Sequence, residues 1–148
     1  MSEVPLKPIS REDIHKLESA LLVGTLFRIE ALEEVLKNPE KRLTWVDSLA
    51  VAAAALAREK AGMPISRIAD EIGRTEATIR NHLAGKTKAG QLVLQTYQRF
   101  LKEGVKIEVA DIEELHKRVD ELENKVKELE NKLSTVKSKL EETLAILE

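Results

Sequence analysis

The C-terminal quarter of the chain follows a seven-residue repeat, and this pattern restricts the possible folds more than any other feature. From Asp111 onward, apolar side chains occupy the first and fourth positions, a and d, of about five consecutive heptads. A strict repeat of this period predicts a helix about 54 Å long, at about 1.5 Å per residue, in a left-handed coiled coil over 111–148. Thr143 is the one polar residue at these positions. The residues expected to mediate dimerisation are Ile112, Leu115, Val119, Leu122, Val126, Leu129, Leu133, Val136, Leu140 and Leu147.

Charged side chains beside this seam indicate a parallel pair of helices. Antiparallel helices would bring the basic residues of position g against one another, whereas parallel helices bring position g against position e. In a parallel pair Arg118 faces Glu123, and Lys125 faces Glu130. We therefore predict a parallel homodimer. The alternative is an amphipathic helix that folds back on the rest of the chain, and the narrow apolar stripe argues against it.

Composition favours an all-α fold without a catalytic or metal site. The chain has four aromatic residues, six glycines and no cysteine, while Leu, Ala, Glu and Lys, which favour helices, are plentiful. The absence of cysteine excludes disulfides and a cysteine nucleophile. The three histidines, His15, His82 and His116, do not have metal-ligand spacing. No paired carboxylates, Ser-His-Asp order or glycine-rich phosphate loop points to an enzyme, so we expect no catalytic residues, metal or cofactor.

The residues before the repeat predict a multi-helix domain over 1–104, joined to the coil by a linker at 105–110. An alternative for part of this linker is a short strand, because apolar and charged residues alternate there. An alanine-rich stretch inside the second predicted helix suggests a central core helix that its neighbours approach closely. Predicted helices cover 10–36 with Ser10 as cap, 45–61 after Thr44, 67–72 after Ser66, 76–84 after Thr75, and 88–102.

Residues 65–84 have the spacing of a helix-turn-helix. Ala69 is small where two helices would cross, and Gly73, four residues later, supplies the positive φ that a tight turn requires. The angle between the two helices would be fixed by a small apolar core of Ile68, Ile72, Ile79 and Leu83.

This segment resembles the helix-turn-helix of bacterial and archaeal transcription regulators, and its sequence ATIRNHL over 77–83 is similar to the recognition helix of LuxR-type response regulators. A wider stretch, 49–100, resembles a family of probable archaeal regulatory proteins encoded beside KaiC-like ATPases. The resemblance implies an archaeal helix-turn-helix regulator.

Charge along the chain is consistent with a nucleic-acid partner. Residues 58–106 contain 10 Lys and Arg against 5 Asp and Glu, although the whole chain carries −2. If the second helix of the motif enters the major groove, Arg80 can pair with guanine and Asn81 with adenine, while Glu76 can accept a hydrogen bond from cytosine. Candidate base-reading residues are Thr75, Glu76, Ala77, Arg80 and Asn81. Candidate phosphate contacts are Arg74, Thr78, Lys86 and Lys88.

The leading hypothesis is a homodimeric, sequence-specific regulator that binds an inverted repeat in double-stranded DNA. The alternative is an adaptor whose helical module or coil binds a partner such as a KaiC-like ATPase. The start of the sequence lacks a signal-peptide pattern, and no apolar run reaches about 18 residues. We therefore expect a cytoplasmic protein that does not enter a membrane.

Overall fold

The described part of the chain consists of helices and their connections. The computed structural model describes residues 3–107 and 112–148, with side chains from 116 onward in the second range. These ranges contain no strand, which confirms the all-α prediction. They fall into two compact units, 3–107 and 112–148. The helices are α1 (Arg11–Leu26), α2 (Ile29–Lys37), α3 (Arg42–Lys60), α4 (Ile65–Ile72), α5 (Glu76–Leu83), α6 (Lys88–Glu103) and α7 (Ile112–Leu147), with a 3₁₀ turn at Pro39–Lys41.

Helix α3 is the centre of the first unit, as its alanine content predicts. Leu49 and every residue from Val51 to Ala57 are buried, and α1, α4, α5 and α6 all pack against this helix. Small side chains allow these close approaches, because the distance between two packed helix axes decreases with the size of the side chains at the contact. One cluster of buried residues joins α1, α3 and α6, and a second joins α3, α4 and α5. Helix α3 contributes to both.

The predicted single helix over 10–36 is wrong, because the chain turns between α1 and α2. Phe27 ends α1, and Arg28 has the extended values φ −72° and ψ 146°. The Arg28 guanidinium is held by α6, donating to the Leu92 carbonyl at 3.3 Å and to Gln95 Oε1 at 3.2 Å. These contacts come from residues more than sixty positions away, so the apolar periodicity that continues through 36 gives no sign of the break.

Two predicted helix starts are also wrong. Helix α3 begins at Arg42 rather than after Thr44, because Pro39 starts a 3₁₀ turn that leads directly into it. Helix α4 begins at Ile65, with Pro64 as its cap, whereas the prediction placed the cap at Ser66. The carbonyl of Pro64 accepts from the amides of Arg67 and Ile68, at 3.1 Å each. The predicted caps of α1 and α5, Ser10 and Thr75, agree with the structure. Thr87 caps α6, and this cap is not among the predicted ones.

Helix α7 is one continuous helix of 36 residues. Its apolar a and d side chains from Val119 onward are at least half exposed, which leaves an apolar stripe along the helix. The side chains of Ile112 and Leu115 lie outside the described residues, as do Asp111 at the start of the predicted coil and 108–110 of the predicted linker.

Candidate nucleic-acid interface

Helices α4 and α5 are two short helices joined by a turn of three residues. Gly73 ends α4 in the left-handed conformation, with φ 73° and ψ 39°, where a side chain would introduce strain. Two residues later Thr75 caps α5, its Oγ1 accepting from the Thr78 amide at 3.2 Å. The turn is therefore fixed by local chemistry, as the sequence predicts.

The core beneath this pair of helices contains the residues expected there and four that sequence reasoning missed. Ile68 and Ile79 are fully buried, and Ile72 and Leu83 pack partly buried against them. Met63 and Ile65 also pack against this cluster, and Val51 and Ala55 of α3 complete it. The alanine-rich stretch predicts burial of α3 but not which neighbours it contacts, so these two residues could not be assigned to the motif.

The outward face of α5 carries all five candidate base-reading residues. Each of them is exposed, as is Ala84 at the end of the helix. Thr78 is half-buried, and its hydroxyl lies 2.9 Å from Thr75 Oγ1. Both hydroxyls are therefore already hydrogen-bonded at the start of the helix. The face presents a guanidinium, a carboxamide and a carboxylate within two turns of helix.

Carboxylates neutralise three of the four candidate cations. Arg80 Nη2 lies 2.8 Å from Glu76 Oε2 on the same face. Arg74 Nη2 donates to both carboxylate oxygens of Asp47 at 3.1 Å each. Lys88 pairs with Glu34 on α2, while Lys86 forms no ion pair with a described residue. Asp47 and Glu34 lie far away in sequence, and nothing in the local pattern signals these pairs.

Helix α5 is joined to α6 by a close contact at its C-terminal end. His82 is buried, and its Nδ1 lies 2.7 Å from Oγ1 of Thr87, the residue that caps α6. The same oxygen accepts from the Gly90 amide at 3.0 Å. At Gly90 a methyl group would lie 2.3 Å from the His82 carbonyl oxygen. His82 therefore packs within the domain and holds α5 at a fixed angle to α6.

Burial of His82 gives stability a dependence on pH. Burial lowers the pKa of this imidazole below its ordinary value of 6.5, so the unfolded chain binds the proton more readily than the folded one. The contribution of neutral His82 to the free energy of unfolding is fully present above pH 6.5. It is expected to be lost as the pH decreases from 6.5 through the lowered pKa. Thermal unfolding between pH 7 and 5 should show a smaller drop in Tm for His82→Gln than for the parent. His15→Gln, which changes an exposed histidine, should keep the drop of the parent; an equal drop in all three proteins would contradict this role.

A metal-binding cluster and a membrane-spanning helix are both absent from the described residues. Within 3–107 and 116–148, His, Asp and Glu side chains form no group of three that could hold a metal ion. Of the helices that the structure describes, none combines the length and hydropathy of a membrane span.

Comparison with known proteins shows an archaeal relative. Over 125 residues the chain is 54% identical to the uncharacterized protein MJ1053 of Methanocaldococcus jannaschii, a region that covers 79% of this chain and 76% of that protein. No family model matches the chain, and no solved structure matches it significantly. Identity at this level over most of both chains leaves no doubt about relatedness: the chain belongs to the same protein family as MJ1053.

Proposed function

We propose that the protein is a sequence-specific DNA-binding regulator and that α4, the turn and α5 form its helix-turn-helix. The observation that carries the proposal is the outward face of α5. It is exposed, it holds Arg80 and Asn81 side by side, and the buried contacts of Ile79 and His82 fix it in place. Guanidinium and carboxamide groups are the side chains that make bidentate pairs with guanine and adenine. The resemblance of 77–83 to LuxR-type recognition helices supports the same assignment.

We propose further that α7 joins two copies in a parallel coiled coil. An apolar stripe that is half or more exposed along a helix of this length is costly in water unless it is covered. The heptad period fits a second copy of the same helix. Two recognition helices related by a two-fold axis would bind an inverted repeat.

The ion pairs of the candidate cations bear on how tightly DNA would bind. DNA phosphates must displace Asp47 from Arg74 and Glu34 from Lys88 before these cations become available. When a DNA phosphate replaces a carboxylate beside a cation, the gain in binding free energy is smaller than when the phosphate binds a cation that has no partner. We therefore expect the protein to bind non-specific DNA weakly. It should bind with higher affinity to sites whose bases Arg80 and Asn81 recognise.

Selection of duplexes from a random library by the full-length protein tests this function. We expect an enriched inverted repeat for the parent, measured at near-physiological salt because affinity depends on salt. Arg80→Ala should lose discrimination at one base of each half-site, by about 1–3 kcal/mol, and Asn81→Ala at another. Lys37→Ala, which removes an exposed charge on α2, should select the parental site. Enrichment unchanged in Arg80→Ala and Asn81→Ala would refute base reading by α5.

A second candidate function is an adaptor that binds a protein such as a KaiC-like ATPase. The carboxylates that neutralise Arg74, Arg80 and Lys88 favour it, because a face of mixed charge suits a protein surface better than it suits phosphates. Absence of any enriched duplex in the selection would support this alternative.

A further inference from the structure

A pocket of about 280 Å³ lies on the first unit, away from the outward face of α5. It is formed by the start of α1, the end of α3 and the start of α4. Three arginines, Arg11, Arg58 and Arg67, line it together with a single carboxylate, that of Glu71. The pocket therefore has an excess of positive charge among the residues that line it.

The three guanidiniums differ in the number of hydrogen bonds that they donate within the protein. Arg58 is largely buried and donates to Glu71 at 3.1 Å, to Glu18 at 2.9 Å and to the Ala54 carbonyl at 2.9 Å. Its hydrogen bond lowers the pKa of the Glu71 carboxyl, which stays ionised near neutral pH. Arg58 is thus a largely buried residue that holds Glu71 in place, with three of its five N–H donors already used.

Arg11 and Arg67 have donors to spare. Both approach the same oxygen of Glu71, Arg11 Nη2 at 3.7 Å and Arg67 Nε at 3.4 Å, and neither has hydrogen-bond geometry to any residue that the structure describes. A guanidinium carries five N–H donors in a planar fork that fits the oxygens of a carboxylate or phosphate. One carboxylate oxygen shared between two arginines leaves most of these donors for an added oxyanion.

Part of the remaining pocket wall is apolar, beside the polar side chains of Ser10 and His15. Ile14 of α1 and Met63 and Pro64 before α4 line it, and Ile9 stands almost fully exposed beside it. Contact with these side chains would favour a ligand that has an apolar portion next to its charged group.

We propose that this pocket binds a small organic anion, with its carboxylate or phosphate on Arg11 and Arg67 and its apolar part against Ile14 and Met63. The site contacts α1 on one side and α4 on the other, so an occupant would hold these two helices together. The binding itself does not depend on the proposed DNA contact.

Calorimetric titration of the full-length protein tests the proposal with phenyl phosphate, benzoate, inorganic phosphate and benzyl alcohol as probes. Phenyl phosphate or benzoate, or both, should bind, and the stronger of the two identifies the preferred oxyanion. Inorganic phosphate should bind more weakly because it lacks the apolar part, and benzyl alcohol should not bind because it lacks the charge. Arg67→Gln and Arg11→Gln should each weaken binding by about tenfold or more, the effect of losing a charge-assisted hydrogen bond.

Lys37→Gln is the matched control, since it removes one exposed positive charge from α2. It should leave the affinity unchanged. Circular dichroism should show that both arginine variants, which alter exposed side chains, retain the parental helix content. The proposal is overturned if neither organic anion binds, or if Lys37→Gln weakens binding as much as the arginine variants do.

Discussion

Replacement of Leu129 by lysine is expected to separate the proposed dimer into monomers of 16.6 kDa. Leu129 occupies a d position in the middle of α7, and about half of its surface is exposed in the single chain. The substitution therefore costs little in a lone helix. In a dimer it would place two ammonium groups together in an apolar seam, at a cost of several kcal/mol. Light scattering or sedimentation would measure the change in mass.

Asn131→Lys provides the control for added charge. Residue 131 lies at position f, opposite the seam, so this variant should keep twice the monomer mass. The dimer would be disproved if the parent itself has the mass of one chain, and the proposed seam would be disproved if Leu129→Lys still dimerises.

The relative orientation of the two α7 helices in the proposed dimer can be measured directly, because the sequence contains no cysteine and an introduced thiol would be unique in each chain. Leu140→Cys introduces a single thiol at an a position near one end of α7. In a parallel pair the two sulfurs lie close enough to form a disulfide on oxidation. In an antiparallel pair they lie tens of ångströms apart, so failure of this dimer to cross-link would exclude the parallel arrangement.

Alanine at Gly90 is expected to destabilise the fold by about 2–3 kcal/mol, although alanine is the better helix former. Helix propensity alone would give a gain of about 1 kcal/mol. The added methyl group, however, would lie 2.3 Å from the His82 carbonyl oxygen and 2.9 Å from its Cα. Because both atoms belong to the backbone of α5, relief requires a shift of the whole helix, and overpacking of this kind outweighs the gain. Denaturant unfolding would measure the loss.

Gly62→Ala is the appropriate comparison. Gly62 has φ 81° and no neighbour that a methyl group would contact, so its cost is limited to backbone strain of about 1 kcal/mol. Hydrogen exchange in α5 should accelerate in Gly90→Ala and remain near the parental rate in Gly62→Ala. A Gly90→Ala variant that is as stable as the parent, or more stable, would refute the close contact between α5 and α6.

The sequence predicts those parts of the fold that depend on neighbouring residues. The caps Ser10 and Thr75 act within one turn of helix, and Gly73 meets a purely local demand for positive φ. The face of α5 also follows from periodicity, because the burial of Ile79 determines which side Arg80 and Asn81 occupy.

Other errors arise where distant contacts accompany a departure from the local pattern. The chain breaks at Arg28, whose side chain hydrogen-bonds to α6, although the periodicity favours continued helix. Likewise Asp47 pairs with Arg74, which lies 27 positions away in the sequence. The pocket of Arg11, Arg58 and Arg67 combines three segments, and no single stretch of sequence indicates it.

The contribution of α3 to both buried clusters limits how this protein can be dissected. The face of α3 that carries Val51 and Ala55 completes the core under α4 and α5, while Leu49 and Leu56 of the same helix belong to the core of α1 and α6. An isolated α4–α5 segment would expose Ile68 and Ile79 to water. Grafting the pair onto another scaffold therefore requires α3 as a third helix, so the smallest transferable module begins well before the turn.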